Sequence, residues 1–141
     1  FVRKISYLRF MEGKKTKNNK AEPTKSELEI LQVLWELGPS TVRVVNDKLN
    51  EQREVNYTST LKLMQIMAEK NLVLRDESNM KHVYRPAEEE NKTKSHLLYR
   101  FVNTLYNGSA SRLVMQLVSS KETTKEELEE LKKILKDLEN K

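Results

Sequence analysis

The feature that most constrains this chain is the very short connection between its first two predicted helices. Thr24-Lys25-Ser26-Glu27 is a capping box, which predicts the start of an amphipathic helix. The Gly38-Pro39 pair ends that helix, and Ser40 or Thr41 caps a second, shorter one. Because so few residues connect the two helices, the pattern indicates a helix-turn-helix.

The segment after this pair predicts a third helix and a small hairpin. Residues 58–70 carry apolar residues at helical spacing, and Asn71 tolerates the left-handed backbone that a helix exit requires. Residues 72–75 and 81–85 are strand-like, with a turn at 76–79 between them. Three helices followed by a hairpin is the order of elements in a winged helix. We therefore expect a mainly α fold, with a winged helix-turn-helix domain over residues 23–87.

Residues 88–141 are predicted to form a helical dimerisation domain. Helical patterns cover residues 88–119 with a break near Asn107-Gly108, and a capping box at residues 124–127 begins the last helix. Leucines of that helix are spaced 3, 4 and 3 residues apart, as in the seam of paired helices. Packing of these residues within one chain remains an alternative. The predicted dimer contacts are Leu97, Phe101, Leu105, Leu113, Leu117, Leu128, Leu131, Leu135 and Leu138.

The basic excess of the sequence lies at its N-terminus. The net charge is +5, and residues 1–20 alone carry seven Lys or Arg residues and one acidic residue. Residues 1–22 are therefore predicted to be a disordered basic tail, in which Met11 is a candidate native start that would leave residues 1–10 outside the natural protein. Because the predicted winged helix is nearly neutral, nucleic-acid binding must be argued from where single charges point.

The residue content excludes several classes of site. The absence of cysteine excludes disulfides, thiolate metal sites and a cysteine nucleophile, and it fits a cytoplasmic protein. The two histidines do not have metal-ligand spacing, and there is no phosphate-binding loop or nucleophile elbow. No run of about 18 apolar residues occurs. We therefore expect no enzyme activity, no cofactor, no metal and no stable membrane association.

The third helix has a polar face near its N-terminus. With about 100° of rotation per residue, Thr58, Ser59, Lys62 and Ile66 lie opposite the apolar residues that must enter the core. Hydroxyl groups bond phosphates or base edges, an ammonium group reaches a phosphate or guanine, and an apolar side chain contacts a thymine methyl. This face therefore suits the DNA major groove. The alternative is that the hydroxyls only cap the helix and that Lys62 is solvated.

Other residues extend this polar surface in the predicted fold. Thr41 and Arg43 begin the second helix, where a helix-turn-helix crosses the phosphate backbone. Arg75 and Lys81 belong to the hairpin and give the wing basic groups. For each wing residue alone, a solvated strand edge is an equally good interpretation.

The motifs together resemble a known family. PTKSELEILQVLWELGPSTVRVV, YTSTLKLMQIMAEKNLVLRD and KHVYRP, followed by FVNTLYNGSASRLVMQLVSSKETTKEELEELKKIL, are similar to the penicillinase-repressor family of bacterial transcriptional regulators, over residues 23–138. The resemblance implies a winged-helix repressor that binds a palindromic operator in double-stranded DNA as a homodimer. It implies DNA contacts from the third helix, with support from the second helix and the wing. These are Thr58, Ser59, Thr60 and Lys62, supported by Arg43, Arg75 and Lys81.

The resemblance also implies a route of induction. In this family a membrane sensor of β-lactam antibiotics triggers proteolysis in the dimerisation region, and the matching bond is Arg100–Phe101. Arg100 stands where the family pattern has Asn, which leaves the inducing signal and the protease open. A winged helix that binds only another protein is the alternative function, and DNA binding measured at several salt concentrations distinguishes the two.

Overall fold

The computed structural model describes residues 22–140, so the predicted tail lies outside the described residues apart from Glu22. The described residues form two compact units, 22–93 and 94–140, and the division falls inside a helix. One small antiparallel hairpin accompanies the helices, which confirms the predicted, mainly helical fold class. The elements are α1 (Lys25–Leu37), α2 (Val42–Asn50), α3 (Tyr57–Glu69), β1 (Val73–Asp76), β2 (Val83–Pro86), α4 (Glu90–Tyr106), α5 (Ala110–Ser119) and α6 (Lys125–Glu139).

The two ends of α1 have the structures that the sequence predicts. The N–H of Glu27 donates to the Thr24 hydroxyl at 3.2 Å, and the N–H of Thr24 donates to the Glu27 carboxylate at 2.9 Å. At the other end, Gly38 has a φ of +82°, which side-chain-bearing residues rarely adopt, and its N–H donates to the Leu34 carbonyl. The helix therefore begins and ends on local hydrogen bonds of its own.

The turn between α1 and α2 is tied to the wing. Thr41 caps α2, because its hydroxyl accepts the N–H of Val44 at 3.3 Å. Ser40 pairs instead with β2: its N–H donates to the Tyr84 carbonyl at 3.0 Å, and the N–H of Tyr84 donates back at 2.8 Å. The turn before α2 and the wing are thus joined by backbone hydrogen bonds.

The core of the first unit lies between α1, α2, α3 and the inner face of the hairpin. Tyr84 and Val73 enter it from the two strands, which pair antiparallel with Arg75 opposite Tyr84. Residues 77–82 connect the strands, so the turn is longer than predicted. The buried apolar residues are Ile30, Leu31, Val33, Leu34, Val42, Val45, Leu49, Met64, Met67, Val73 and Tyr84.

An ion pair between a buried carboxylate and a half-buried ammonium connects the start of α1 with the end of α3. Both carboxylate oxygens of Glu27, which is 1% exposed, accept from the Lys70 ammonium at 3.0 Å. Burial raises the pKa of Glu27, but hydrogen bonds from Thr24 and Lys70 outweigh this effect and hold the pKa below its usual value. Asn71 follows with a φ of +63°, as expected for the exit of this helix.

The second unit is helical and buries little within one chain. Ser109 caps α5 and Thr124 caps α6, the latter in a complete capping box. Asn107 and Gly108 both have positive φ, which explains the predicted break. No side chain of α5 or α6 is buried. Within residues 22–140, no helix combines the length and the apolar character that a membrane crossing requires.

We expect Glu27→Gln to lower the free energy of unfolding by about 1–2 kcal/mol at neutral pH, since it removes a buried charge-assisted hydrogen bond. Because the folded-state pKa of Glu27 is lowered, its contribution is present above the unfolded-state pKa of about 4.3 and disappears as the pH falls through the folded-state pKa. Urea unfolding followed by the fluorescence of Trp35 at several pH values measures the difference between wild type and variant.

The matched control is Glu36→Gln in the same helix, whose side chain is 63% exposed. This control should leave stability within about 0.5 kcal/mol of wild type. A Glu27→Gln variant whose stability stays parallel to wild type from neutral to acid pH would contradict the role assigned to the pair.

Candidate nucleic-acid interface

The N-terminal turns of α3 present a polar surface. Thr58, Ser59 and Lys62 are all exposed, on the side that the helical periodicity predicts. Ile66 lies further along the same side and is half-buried. The helix begins at Tyr57, which is 43% exposed and which the sequence prediction did not select. Among the described residues, the Lys62 ammonium has no carboxylate partner.

Thr60 is a correction to the predicted DNA contacts. Its side chain is only 2% exposed, and its hydroxyl accepts a hydrogen bond from the Asn46 amide at 2.8 Å. Position 60 precedes Met64 by four residues and Met67 by seven, so it lies on the core face of the helix. The prediction for Thr60 is wrong, because it followed from the resemblance to the family, whereas helical periodicity places this position on the core face.

Two asparagines hold the start of α3 against α2. The Asn46 amide donates to the Val55 carbonyl at 3.1 Å as well as to Thr60, and it is 8% exposed. Asn50 donates to the Val55 carbonyl at 2.9 Å and accepts the N–H of Val55 at 3.1 Å. These bonds fix the loop between the two helices and hence where the polar face begins. The sequence signal for these bonds is Asn46, a polar residue among the apolar residues of the buried face of α2.

The start of α2 carries two of the predicted contacts. Thr41 is half-buried and its hydroxyl oxygen is used as a cap, which leaves the O–H free to donate to a phosphate. Arg43 is exposed, and its guanidinium carbon lies 5.5 Å from the centre of the Tyr57 ring. The structure therefore brings Arg43 beside the polar face of α3.

The two wing residues differ in their surroundings. Lys81 is exposed in the connection between the strands. The Arg75 guanidinium forms an ion pair with Glu77, and its hydrogen bond to Tyr84 raises the pKa of Arg75 above its usual value. Arg75 is thus already held by groups of its own chain, whereas Lys81 has no ion pair among the described residues.

Many of the other basic groups in the first unit are neutralised locally. Lys48 pairs with Glu51 at 3.0 Å, and Arg53 pairs with Glu29 at 2.9 Å. With Lys70 bound to the buried carboxylate described above, these cations serve the fold. The side chains free for a polyanion include Arg43, Lys62 and Lys81.

The predicted dimer contacts are solvent-accessible in the single chain. Phe101, Leu105, Leu117, Leu135 and Leu138 are between 45% and 62% exposed. The remaining four are half-buried: Leu97, Leu113, Leu128 and Leu131. Arg100 and Phe101, the predicted cleavage pair, lie inside α4. Among residues 22–140, no cluster of three or more His, Asp or Glu side chains is placed to hold a metal ion.

The comparisons with known proteins agree on one protein family. The model of the penicillinase repressor family matches residues 23–137. The chain is 23% identical over 124 residues to a penicillinase repressor of Staphylococcus aureus, covering 88% of this chain and 98% of the relative. It is 24% identical to the methicillin resistance regulatory protein MecI of Mammaliicoccus sciuri, covering 84% and 96%. These relatives are transcriptional repressors rather than enzymes, as expected.

Two further matches support narrower conclusions, one because it covers a short segment and the other because its sequence identity is low. The transcriptional regulator BlaI of Mycobacterium tuberculosis is 36% identical over 61 residues, which cover 43% of this chain and 44% of that protein. The solved structure of a MarR family protein from Bacillus stearothermophilus aligns with 99% of this chain and 92% of its own, with a TM-score of 0.51 and 19% identity. The latter likeness shows the fold alone.

We expect Thr60→Val to lower the free energy of unfolding by about 1–2 kcal/mol, because the buried Asn46 amide loses one of its acceptors. Ser59→Ala at the neighbouring exposed position is the matched control and should change stability by less than about 0.5 kcal/mol. Urea unfolding of the two variants makes the comparison. Equal stabilities would show that the hydroxyl of Thr60 does not hold the helix.

Proposed function

This chain belongs to the penicillinase repressor family, and we propose that it represses transcription by inserting the N-terminal turns of α3 into the major groove of an operator. The observation that carries the proposal is the exposed set of Thr58, Ser59 and Lys62, held in place from beneath by Asn46. A recognition helix must present such groups from a rigid support, because a contact with a base edge tolerates little displacement.

Each group has a role that its chemistry suits. Thr58 and Ser59 offer hydroxyls to phosphates or base edges, and Lys62 offers an ammonium to a phosphate or to guanine. Thr41 and Arg43 are proposed to contact the phosphate backbone beside the groove. Lys81 would add a contact from the wing. Because several cations of residues 22–93 are paired with carboxylates, the affinity of this unit would depend on the positions of its free cations more than on its net charge.

We expect Lys62→Ala to weaken binding to a duplex that the protein has selected from a random-sequence library by about 1–3 kcal/mol. If Lys62 contacts a phosphate, the slope of log affinity against log salt should also become shallower by about 0.9. Fluorescence anisotropy at several salt concentrations measures both quantities.

Lys132→Ala, an exposed lysine on α6, is the charge-matched control for that experiment. If both variants bind as wild type does, α3 is not the element that enters the groove. If the wild-type protein selects no duplex at all, the alternative of a protein-interaction module is favoured instead.

The proposal includes a homodimer formed through α4, α5 and α6. The exposed leucines and Phe101 supply apolar faces that a single chain leaves in water, and a second copy offers the same faces in return. A dimer would place two α3 helices on the two halves of a palindromic operator, about one or two turns of DNA apart. Joining two half-sites raises affinity because the second contact becomes intramolecular.

We expect Leu135→Glu to shift the protein from dimer to monomer and to weaken operator binding by at least tenfold, since it places a charge on the proposed apolar seam. Sedimentation velocity combined with DNA titration provides the measurement. Lys133→Glu, at a polar position of the same helix, is the control and should remain dimeric. A Leu135→Glu protein with wild-type sedimentation and affinity would argue against dimerisation through this seam.

Proteolysis between Arg100 and Phe101 is the proposed route of release. A cut there would separate the winged helix from most of the apolar faces, so each half-site would be bound alone and weakly. Because the bond lies inside α4, a protease requires local unwinding of that helix. N-terminal sequencing of fragments from β-lactam-treated cells tests this route: a new terminus at Phe101 supports it, and an intact chain during induction contradicts it. A cytoplasmic location follows from the proposed DNA target.

A further inference from the structure

Arg43 and Tyr57 form a pair that connects the starts of α2 and α3. Arg43 is the second residue of α2, Tyr57 is the first residue of α3, and the guanidinium carbon lies 5.5 Å from the ring centre. That distance is within the range of a cation–π interaction. Tyr57 is 43% exposed and belongs neither to the core cluster nor to the residues packed against it. Neither residue has another hydrogen bond or ion pair of its side chain among the described residues.

An arginine side chain is flexible, and this flexibility weakens any contact that it makes. Its rotamers must be restricted before the guanidinium can bind a phosphate, and that restriction costs entropy. A ring that already holds the guanidinium reduces this cost. The guanidinium carries five N–H donors, and no carboxylate or other acceptor among residues 22–140 is paired with them, so they remain available to donate.

The position of the pair fits the phosphate backbone beside the groove. Arg43 lies in the first turn of α2, one element before the exposed face of α3, and the first helix of a helix-turn-helix crosses the backbone there. Thr41 begins the same helix and has its O–H free to donate. The nearby cations Lys48 and Arg53 form ion pairs with carboxylates. Within residues 22–140, no carboxylate forms an ion pair with Arg43.

We propose that Tyr57 is a positioning residue, whose ring orients the Arg43 guanidinium for a phosphate of the operator backbone. The inference rests on the proposed function, because the bound ligand is duplex DNA. The ring is the active part of Tyr57, and its hydroxyl is not required. The contact is made to phosphate rather than to a base, so it strengthens binding to any duplex.

The test uses the full chain, a library-selected duplex and a random duplex of the same length. Tyr57→Leu should weaken binding to both duplexes by about three- to tenfold. Tyr57→Phe should bind as wild type does, because it keeps the ring. Arg43→Ala should weaken binding to both duplexes and make the salt slope shallower by about 0.9. In the Arg43→Ala background, Tyr57→Leu should have no further effect.

A DNA-free measurement keeps the inference separate from the proposed function. In the NMR spectrum of the free protein, the side-chain Nε–H resonance of Arg43 should be displaced by the ring current in wild type and Tyr57→Phe. Tyr57→Leu should abolish that displacement. Thermal unfolding of each variant should stay near wild type, which separates positioning from a general loss of structure.

Each outcome has a distinct meaning. Additive effects of Tyr57→Leu and Arg43→Ala, or equal losses in the Phe and Leu variants, would overturn the inference while leaving DNA binding intact. Loss confined to the selected duplex would also overturn it, because the contact would then be to a base. Failure of wild type to bind either duplex would overturn the proposed function, and the inference with it.

Discussion

The orientation of the polar surface on α3 depends on one buried amide. Asn46 donates to the Thr60 hydroxyl and to the Val55 carbonyl, and both acceptors lie in or just before α3. A rotation of α3 by one residue would carry Thr60 out of reach and leave this donor buried without its acceptor, which is costly. The buried hydrogen bonds therefore select one register of the helix, whereas methionines alone would tolerate several. The exposure of Thr58, Ser59 and Lys62 therefore follows from the buried hydrogen bonds of Asn46 on the opposite side of the helix.

Local signals predicted the fold because its boundaries are set by local chemistry. The capping box at Thr24 and the positive φ of Gly38 and Asn71 are properties of short segments, and each could be inferred from a few residues. The pairing of Ser40 with Tyr84 could not be inferred in this way, because it joins positions far apart in the chain through backbone atoms. Because this pairing uses only backbone atoms, the side chains of the two residues do not indicate it.

The candidate site was predicted in part, for related reasons. The helical periodicity correctly identified the exposed side of α3. The resemblance to the family implied a contact from Thr60 as well, but this residue is buried on the core side of the helix. The role of Tyr57 was not predicted, because its contact is with Arg43 on another helix and depends on how the two helices pack. Arg75 illustrates a further limit: its charge suggests a DNA contact, yet only the structure reveals Glu77 and Tyr84 beside it. Charge can be counted in a sequence, but its availability is a property of three-dimensional neighbours.

The second unit has the opposite character from the first. In residues 22–93, side chains of three helices and a hairpin enclose a common core, whereas α5 and α6 contain no fully buried side chain within one chain. In the proposed homodimer, the apolar faces of these helices would be covered only when two chains associate, so the stability of the second unit would depend on protein concentration. Dilution would then act on this unit as urea does on other proteins, and the abundance of the protein in the cell would set how much of it is fully assembled.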